Sequence, residues 1–318
     1  MQNGPMQNGL TLAGAYAACR AIAKREAKNF YYAFVALPAA RRNAICAIYA
    51  FMRQADDLAD DESFSREERR VRLDAWLAAW REVCEHPNPE TAASDPVFMA
   101  VRDATERFAI PLTLLDELVA GVTMDLKPAA AAEDVPSQAP DTYAAFADLY
   151  RYCYLVASVV GLVCIRIFGY QDPRAEKLAE ETGIAFQLTN ILRDVAEDAE
   201  RNRVYLPLED LATHGVSLDS LLHRSPATPP TAAERALLAE IAGRAEKFYE
   251  SAQALLPLID KESRPALWVL VRIYHGLLKR IERADYDVFS RRASVPTAEK
   301  LGILAVGLLR MAWVRLIG

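Results

Sequence analysis

Hydrophobic positions recur along this chain at the 3.6-residue period of a helix from one end to the other, and sustained alternation of β-branched residues is almost absent. The pattern predicts an all-α protein. Prolines interrupt it at HPNPETAASDP (86–96), KPAAAAEDVPSQAP (127–140) and HRSPATPPT (223–231). These are loops between helices, because apolar periodic segments resume after each and no shift in composition divides the chain. The expectation is one helical domain over residues 1–318 packed around a central cavity, with 1–12 as a frayed tail and 301–318 as a terminal amphipathic helix. No repeat of roughly 30 to 45 residues is visible, so a solenoid is not expected.

Two segments are apolar enough to raise the question of a membrane. In YCYLVASVVGLVCIRIFGY (152–170) the uncharged core ends at Arg166, short of the roughly 20 residues a span requires, so a buried helix is expected. In LGILAVGLLRMAWVRLIG (301–318), Arg310 and Arg315 flank a tryptophan. That composition suits either a helix lying on a membrane interface or one packed on the domain.

Of the 318 residues, 52% are hydrophobic, enough for a substantial core. The 37 basic and 43 acidic residues leave a net charge of -6 with no long Lys/Arg run, which argues against a nucleic-acid partner. Five cysteines form no CxxC pair, and three of them sit within apolar patterns as small buried residues do, so a reduced, cytoplasmic setting is expected. The opening MQNGPMQNGL lacks the cationic then apolar order of a signal peptide, so secretion is not expected.

The chemistry lies in two acidic rows. AFQLTNILRDVAEDAERNRVYLP (185–207) spaces Asn190, Asp194 and Asp198 by four, and each step of four turns only about 40° around a helix, so the three share a face. AIYAFMRQADDLADDE spaces Asp56 from Asp60, and Asp57 from Asp61, in the same way. Like charges at this spacing destabilise a bare helix by a few tenths of a kcal/mol per pair. Acidic residues on a wet helix end are the plain explanation. Against it, each row follows strongly apolar turns and carries an arginine, Arg53 or Arg193, beside its carboxylates. Oxygen ligands without His or Cys select a hard cation such as Mg²⁺, shared between carboxylates and substrate phosphates. Zinc is not indicated: the four histidines are scattered and there is no HExxH. No GxG occurs, so phosphate binding would rest on metal and arginine.

NFYYAFVALPAARRNAICAIYAFMRQADDLADD, YCYLVASVVGL and AFQLTNILRDVAEDAERNRVYLP resemble, in order, the three signature blocks of the squalene and phytoene synthases, the head-to-head trans-prenyl synthases. YDVFSRRASVPTAEKL extends the resemblance more loosely, to about residues 26–300. It implies a single all-α bundle around a deep pocket with two aspartate-rich helices facing each other at its mouth. Asp56 and Asp60 would be one metal-binding pair, and Asn190, Asp194 and Asp198 the other set. Arg53 and Arg193 would hold diphosphate oxygens, and Tyr49, Tyr152 and Gln187 would line the reacting centre. Tyr274 and Arg291 or Arg292 carry over from the looser part. Asn29 stands where many relatives have Ser, immediately before Phe30, and its amide can still donate to a phosphate oxygen. Phe30, Tyr31, Phe51 and Phe186 are candidates for stabilising cations with their ring faces, against the plainer reading as core. Ala157, Ser158 and Gly161 either leave room for a prenyl chain or allow close helix packing.

The implied reaction ionises one allylic diphosphate, lets the second substrate's double bond attack the cation to give a cyclopropylcarbinyl diphosphate, and ionises that again. Two C15 farnesyl diphosphates would give presqualene diphosphate and, with NADPH as reductant, squalene; two C20 geranylgeranyl diphosphates would give phytoene by proton loss. VASVVGLVCIRIFGY and NFYYAF favour the squalene branch, and DYDVFSRRASVPT leans to phytoene, so the C15 transferase is the expectation and the C20 enzyme its alternative. A class I terpene cyclase, a head-to-tail elongase with two DDxxD blocks and a non-enzymatic assembly factor fit the two intact rows less well. The expected partners are prenyl diphosphates and no nucleic acid. The expected state is a monomer or weak dimer in the cytoplasm, held on the inner membrane face if residues 301–318 lie on lipid.

Overall fold

A computed structural model describes residues 11–85, 95–124, 126, 140–225 and 228–317, apart from the side chains of residues 28–30, 32, 311 and 314–317. The expected loops at 86–96 and 127–140 fall largely outside them, as does most of the expected tail, whereas the loop at 223–231 is described apart from residues 226 and 227, and Leu12 already begins the first helix.

The helices start where the sequence supplies a cap. α1 (Leu12–Glu26) follows Thr11, whose hydroxyl accepts from the Gly14 N–H. After α2 (Lys28–Val35), Pro38 marks the start of α3 (Ala39–Asp60). α4 (Arg66–Glu85) opens with Ser65 and Glu68 exchanging hydrogen bonds, and α5 (Pro96–Arg107) with the Asp95 carboxylate accepting from Val97 N–H at 2.7 Å. α6 (Leu112–Met124) follows. α7 (Phe146–Cys153), a π-helical turn (Tyr154–Ser158) and α8 (Val159–Phe168) make one apolar rod, ended by Gly169 at φ 81°. α9 (Arg174–Glu200) has 27 residues. After α10 (Leu208–His214) and α11 (Leu218–Leu222), Thr231 and Glu234 form a capping box that opens α12 (Ala232–Leu255). α13 (Arg264–Arg283) and α14 (Thr297–Ile317) complete the chain. The strand content among the described residues is one parallel pair, Asp141–Thr142 beside Arg203–Val204. The protein is all-α.

α9 is central. It packs along α12 on one side and against the π turn and α8 on another, while α1, α3 and α5 pack together and α13 lies between α2 and α14. One core cluster runs from Ala15 to Val295. Phe51, Trp76, Trp80 and Phe98 interlock α3, α4 and α5 with ring centroids 4.6 to 6.3 Å apart. α9 approaches the π turn so closely that a Cβ on Gly183 would stand 2.5 Å from Ser158 Cα, which only glycine tolerates.

The rod from Phe146 to Phe168 is long and apolar enough by composition to cross a membrane. Its apolar faces are already taken. Leu149, Val159, Val163 and Ile167 are buried in the core, and Ala157, Val160, Gly161 and Cys164 face a cavity. The expected buried helix is therefore what forms at 152–168, and the cavity explains why its outer face is not polar.

Candidate active site

A cavity of about 850 Å³ lies between α3, the π turn with α8, α9 and α13. Two of its walls change character along their length. On α3 the lining runs from Ile45 and Ile48 through Tyr49 and Met52 to Arg53 and Asp56; on α9 it runs from Ala179 and Gly183 through Phe186 and Gln187 to Asn190 and Arg193. At 1.5 Å per residue these stretches are about 16 and 21 Å long. Both pass from an apolar interior to polar groups at the helix C-terminal ends. Phe168, Leu255, Leu267, Leu270 and Leu277 close the apolar part.

Those two helix ends are electrostatically costly as they stand. α3 finishes with Asp56, Asp57 and Asp60, and α9 with Asp194, Glu197, Asp198 and Glu200, and neither has a basic residue in its last turn. Negative charge at a helix C-terminus opposes the dipole by about 0.3 to 1 kcal/mol per group. The structure meets part of this with arginines. Arg53 pairs with Asp57, and Arg72 with Asp61 at 3.2 Å. Asp194 receives Arg193 from its own helix and Arg292 from the segment before α14 at 2.8 Å, and Arg292 also reaches Glu197 at 3.1 Å. The segment bearing Arg292 is held by Phe289, which lies beneath Arg224 at 3.8 Å, and Arg224 is paired with the buried Glu234.

Two groups of the Asn190–Asp194–Asp198 stripe remain poorly served. Asn190 Oδ1 is buried without a hydrogen-bond partner, while its amide nitrogen lies 3.3 Å from Gln187 Oε1. Burial, and then the charge of Asp194, push the Asp198 carboxyl up to about 7. An orphaned carbonyl oxygen beside a carboxylate that resists ionisation is what a hard cation would satisfy. Asn190, Asp194 and Asp198, with Asp56 across the cavity, therefore fit a divalent metal. Among the described residues, no cluster of three or more His, Cys, Asp or Glu side chains is already gathered as a metal site.

The expected residues divide as follows. Tyr49, Arg53, Asp56, Ala157, Gly161, Gln187, Asn190, Arg193 and Tyr274 all line the one cavity. Asp194 and Asp198 continue the stripe one and two turns beyond Asn190, and exposed Asp60 stands one turn beyond Asp56. Tyr152 stands apart from the lining: it is buried in a stack with Tyr143 and Tyr205, its hydroxyl 3.3 Å from that of Tyr205. Ser158 is likewise internal, donating to the Glu180 carbonyl at 2.6 Å. The side chains of Asn29 and Phe30 lie outside the described residues. Of the aromatic candidates, Phe51 belongs to the α3–α5 core, whereas Phe186 lines the cavity and stacks on Tyr274 at 4.5 Å.

The structure adds Glu26, Ser294 and Lys300 to the lining. Burial, and then Arg193, hold the Lys300 ammonium below its ordinary range. Spacing does not point to these residues, because none belongs to a row of polar residues repeating at helical spacing, as the two acidic rows do. The loosely matched YDVFSRRASVPTAEKL stretch was the available signal for Ser294 and Lys300.

An all-α bundle around a deep apolar cavity, with two acidic helix ends and arginines at its opening, defines the isoprenoid synthase fold. The family model described as squalene/phytoene synthase matches residues 23–299, and the chain belongs to this family of prenyl transferases. The chain is 34% identical to a phytoene synthase of Arthrospira platensis, covering 96% of each chain. It is 34% identical to a 15-cis-phytoene synthase of Synechococcus elongatus, covering 94% of each. Among solved structures it superposes on a dehydrosqualene synthase in complex with ligand with a TM-score of 0.78 at 28% identity, covering 95% of this chain and 98% of the other. A squalene synthase from Alicyclobacillus acidocaldarius gives 0.75 at 25% identity, with 87% and 96% covered.

Proposed function

We propose that this protein condenses two geranylgeranyl diphosphates head to head into phytoene. The observation that carries a head-to-head prenyl transfer is the single cavity whose apolar interior leads to Arg53, Asp56, Asn190 and Arg193. The C20 substrate is supported by the sequence relatives, phytoene synthases matched over nearly their whole length. The expectation of a C15 squalene enzyme gives way on this point, since the squalene and dehydrosqualene synthases resemble the chain at lower identity. NADPH drops out with it: phytoene forms by proton loss and requires no reductant.

Mg²⁺ held by Asp56, Asp60, Asn190, Asp194 and Asp198 would supply electrostatic stabilisation of the departing diphosphate, a contribution of several kcal/mol. Arg53 and Arg193 donate to its oxygens, and Arg292 and Lys300 line the same cavity beside Arg193. The prenyl chains lie along the apolar turns of α3, the α7–α8 rod and α9. The dry lining keeps water from quenching the allylic cation before the second substrate's double bond reaches it. The stacked faces of Phe186 and Tyr274 offer negative π surface that cannot itself react. Burial lifts the Tyr274 hydroxyl to about 12, so it stays neutral there.

Asp194→Ala should lower turnover on geranylgeranyl diphosphate by about 10²-fold or more while leaving the helical circular dichroism unchanged. The ratio of kcat/KM for the C20 over the C15 diphosphate should favour C20. Wild-type turnover in the variant would remove the second acidic row from the reaction, and a ratio favouring C15 would restore the squalene reading.

A further inference from the structure

Residues 284–296, between α13 and α14, form turns and extended backbone without a helix. Arg292, Ala293, Ser294 and Val295 of this segment line the cavity, and Arg292 Nε lies 2.9 Å from Asp194 Oδ1. A stretch with no backbone ladder is placed by its side chains. Val288 and Val295 are buried in the core, but apolar burial has no direction and does not fix where Arg292 points.

Direction comes from the first turn of α12. Arg235 pairs with Asp285 at 2.7 Å, beside a turn in which Asp285 and Tyr286 are held at φ 54° and 58°. Residues other than glycine keep that conformation only where their surroundings enforce it. One position earlier, Glu234 pairs with Arg224, whose guanidinium also donates to the carbonyls of Thr228 and Pro229 at 2.9 and 2.7 Å. Fixed on these acceptors, the planar group turns its face to the Phe289 ring. Arg292 follows Phe289 by three residues, at most about 10 Å of chain.

This pair is more than α12 needs for its cap. Glu234 accepts from the Thr231 N–H at 2.6 Å and the Thr231 hydroxyl from the Glu234 N–H at 3.2 Å, which completes the capping box without Arg224. Burying the guanidinium, whose side chain is 13% exposed, carries a desolvation cost that an apolar side chain against Phe289 would avoid. Neither Arg224 nor Glu234 lines the cavity.

We propose that Arg224 and Glu234 are positioning residues that act through Phe289 to hold Arg292 on Asp194 at the cavity opening. Resting on the proposed function, this keeps Arg292 where the diphosphate departs.

The test combines kcat/KM on geranylgeranyl diphosphate with hydrogen exchange over residues 286–296, in Arg224→Gln, Phe289→Leu, Arg292→Gln and the two double variants that include Arg292→Gln. Phe289→Leu leaves the ion pair and the cap in place, so it carries the test alone if Arg224→Gln, with Glu234 buried and unpaired, does not fold. Arg224→Gln and Phe289→Leu should each lower kcat/KM about tenfold or more and speed exchange over 286–296 while exchange in α9 stays as in the wild type. Added to Arg292→Gln, either should lower kcat/KM no further, because an effect carried by Arg292 is lost only once. Losses that multiply in the double variants would overturn the proposal, as would a Phe289→Leu protein with wild-type kcat/KM or wild-type exchange over 286–296. A wild type inactive on prenyl diphosphates would strike the proposed reaction; the hold on Arg292 would then stand if 286–296 still loosens in Phe289→Leu and fall if it does not.

Discussion

Asp198 is the residue whose environment departs furthest from what an isolated carboxylate prefers. Its ionised form is penalised by burial and by Asp194, so its folded-state pKa of about 7 exceeds the ordinary value of 3.8. The sign follows directly. A raised folded pKa contributes stability that is complete below about pH 4 and is lost as pH rises through 7. Asp198→Asn, which keeps the shape without the charge, should therefore raise the melting temperature of the metal-free protein, more at pH 8 than at pH 5, while turnover falls. An equal shift at both pH values would show that the carboxylate is not strained. The stripe itself was legible in the sequence because the four-residue spacing of Asn190, Asp194 and Asp198 survives any uncertainty in helix ends. The doubled arginine clasp on Asp194 was not, because Arg292 arrives from 98 residues away in sequence.

At the scale of elements, the 3.6-residue period carried most of the fold. It put both acidic rows on helices behind strongly apolar turns, and the structure places them at the C-terminal ends of α3 and α9. It could not show the π turn at Tyr154–Ser158, which continues the apolar pattern and alters only the hydrogen-bond register. Nor could it separate the two readings of the small residues there. The structure supports both: Ala157 and Gly161 line the cavity, while Gly183 lets α9 close on the turn. Tyr152, assigned to the reacting centre by the resemblance, packs against Tyr143 and Tyr205 and does not line the cavity. Gly183→Ala should destabilise by roughly 1 to 3 kcal/mol, since the contacted atoms are backbone and cannot rotate away. Gly243→Ala, in α12 with nothing within 4 Å, is the matched control and should be neutral or stabilising by up to about 1 kcal/mol in thermal or urea unfolding. Equal losses at both sites would argue against the close contact.

For the whole molecule, one arrangement connects the parts. α3 and α9 run from apolar interior to acidic end, and α13 closes the apolar part of the cavity they share. Sequence alone reached the family and the head-to-head reaction, but not chain length, because pocket depth depends on side chains from four separate helices. The most direct measurement is analysis of the organic extract after the purified protein is incubated with Mg²⁺ and either geranylgeranyl or farnesyl diphosphate, each with and without NADPH. The prediction is phytoene from the C20 substrate, independent of NADPH. A C30 product from farnesyl diphosphate with none from the C20 substrate, or a cyclic product from a single diphosphate, would contradict it.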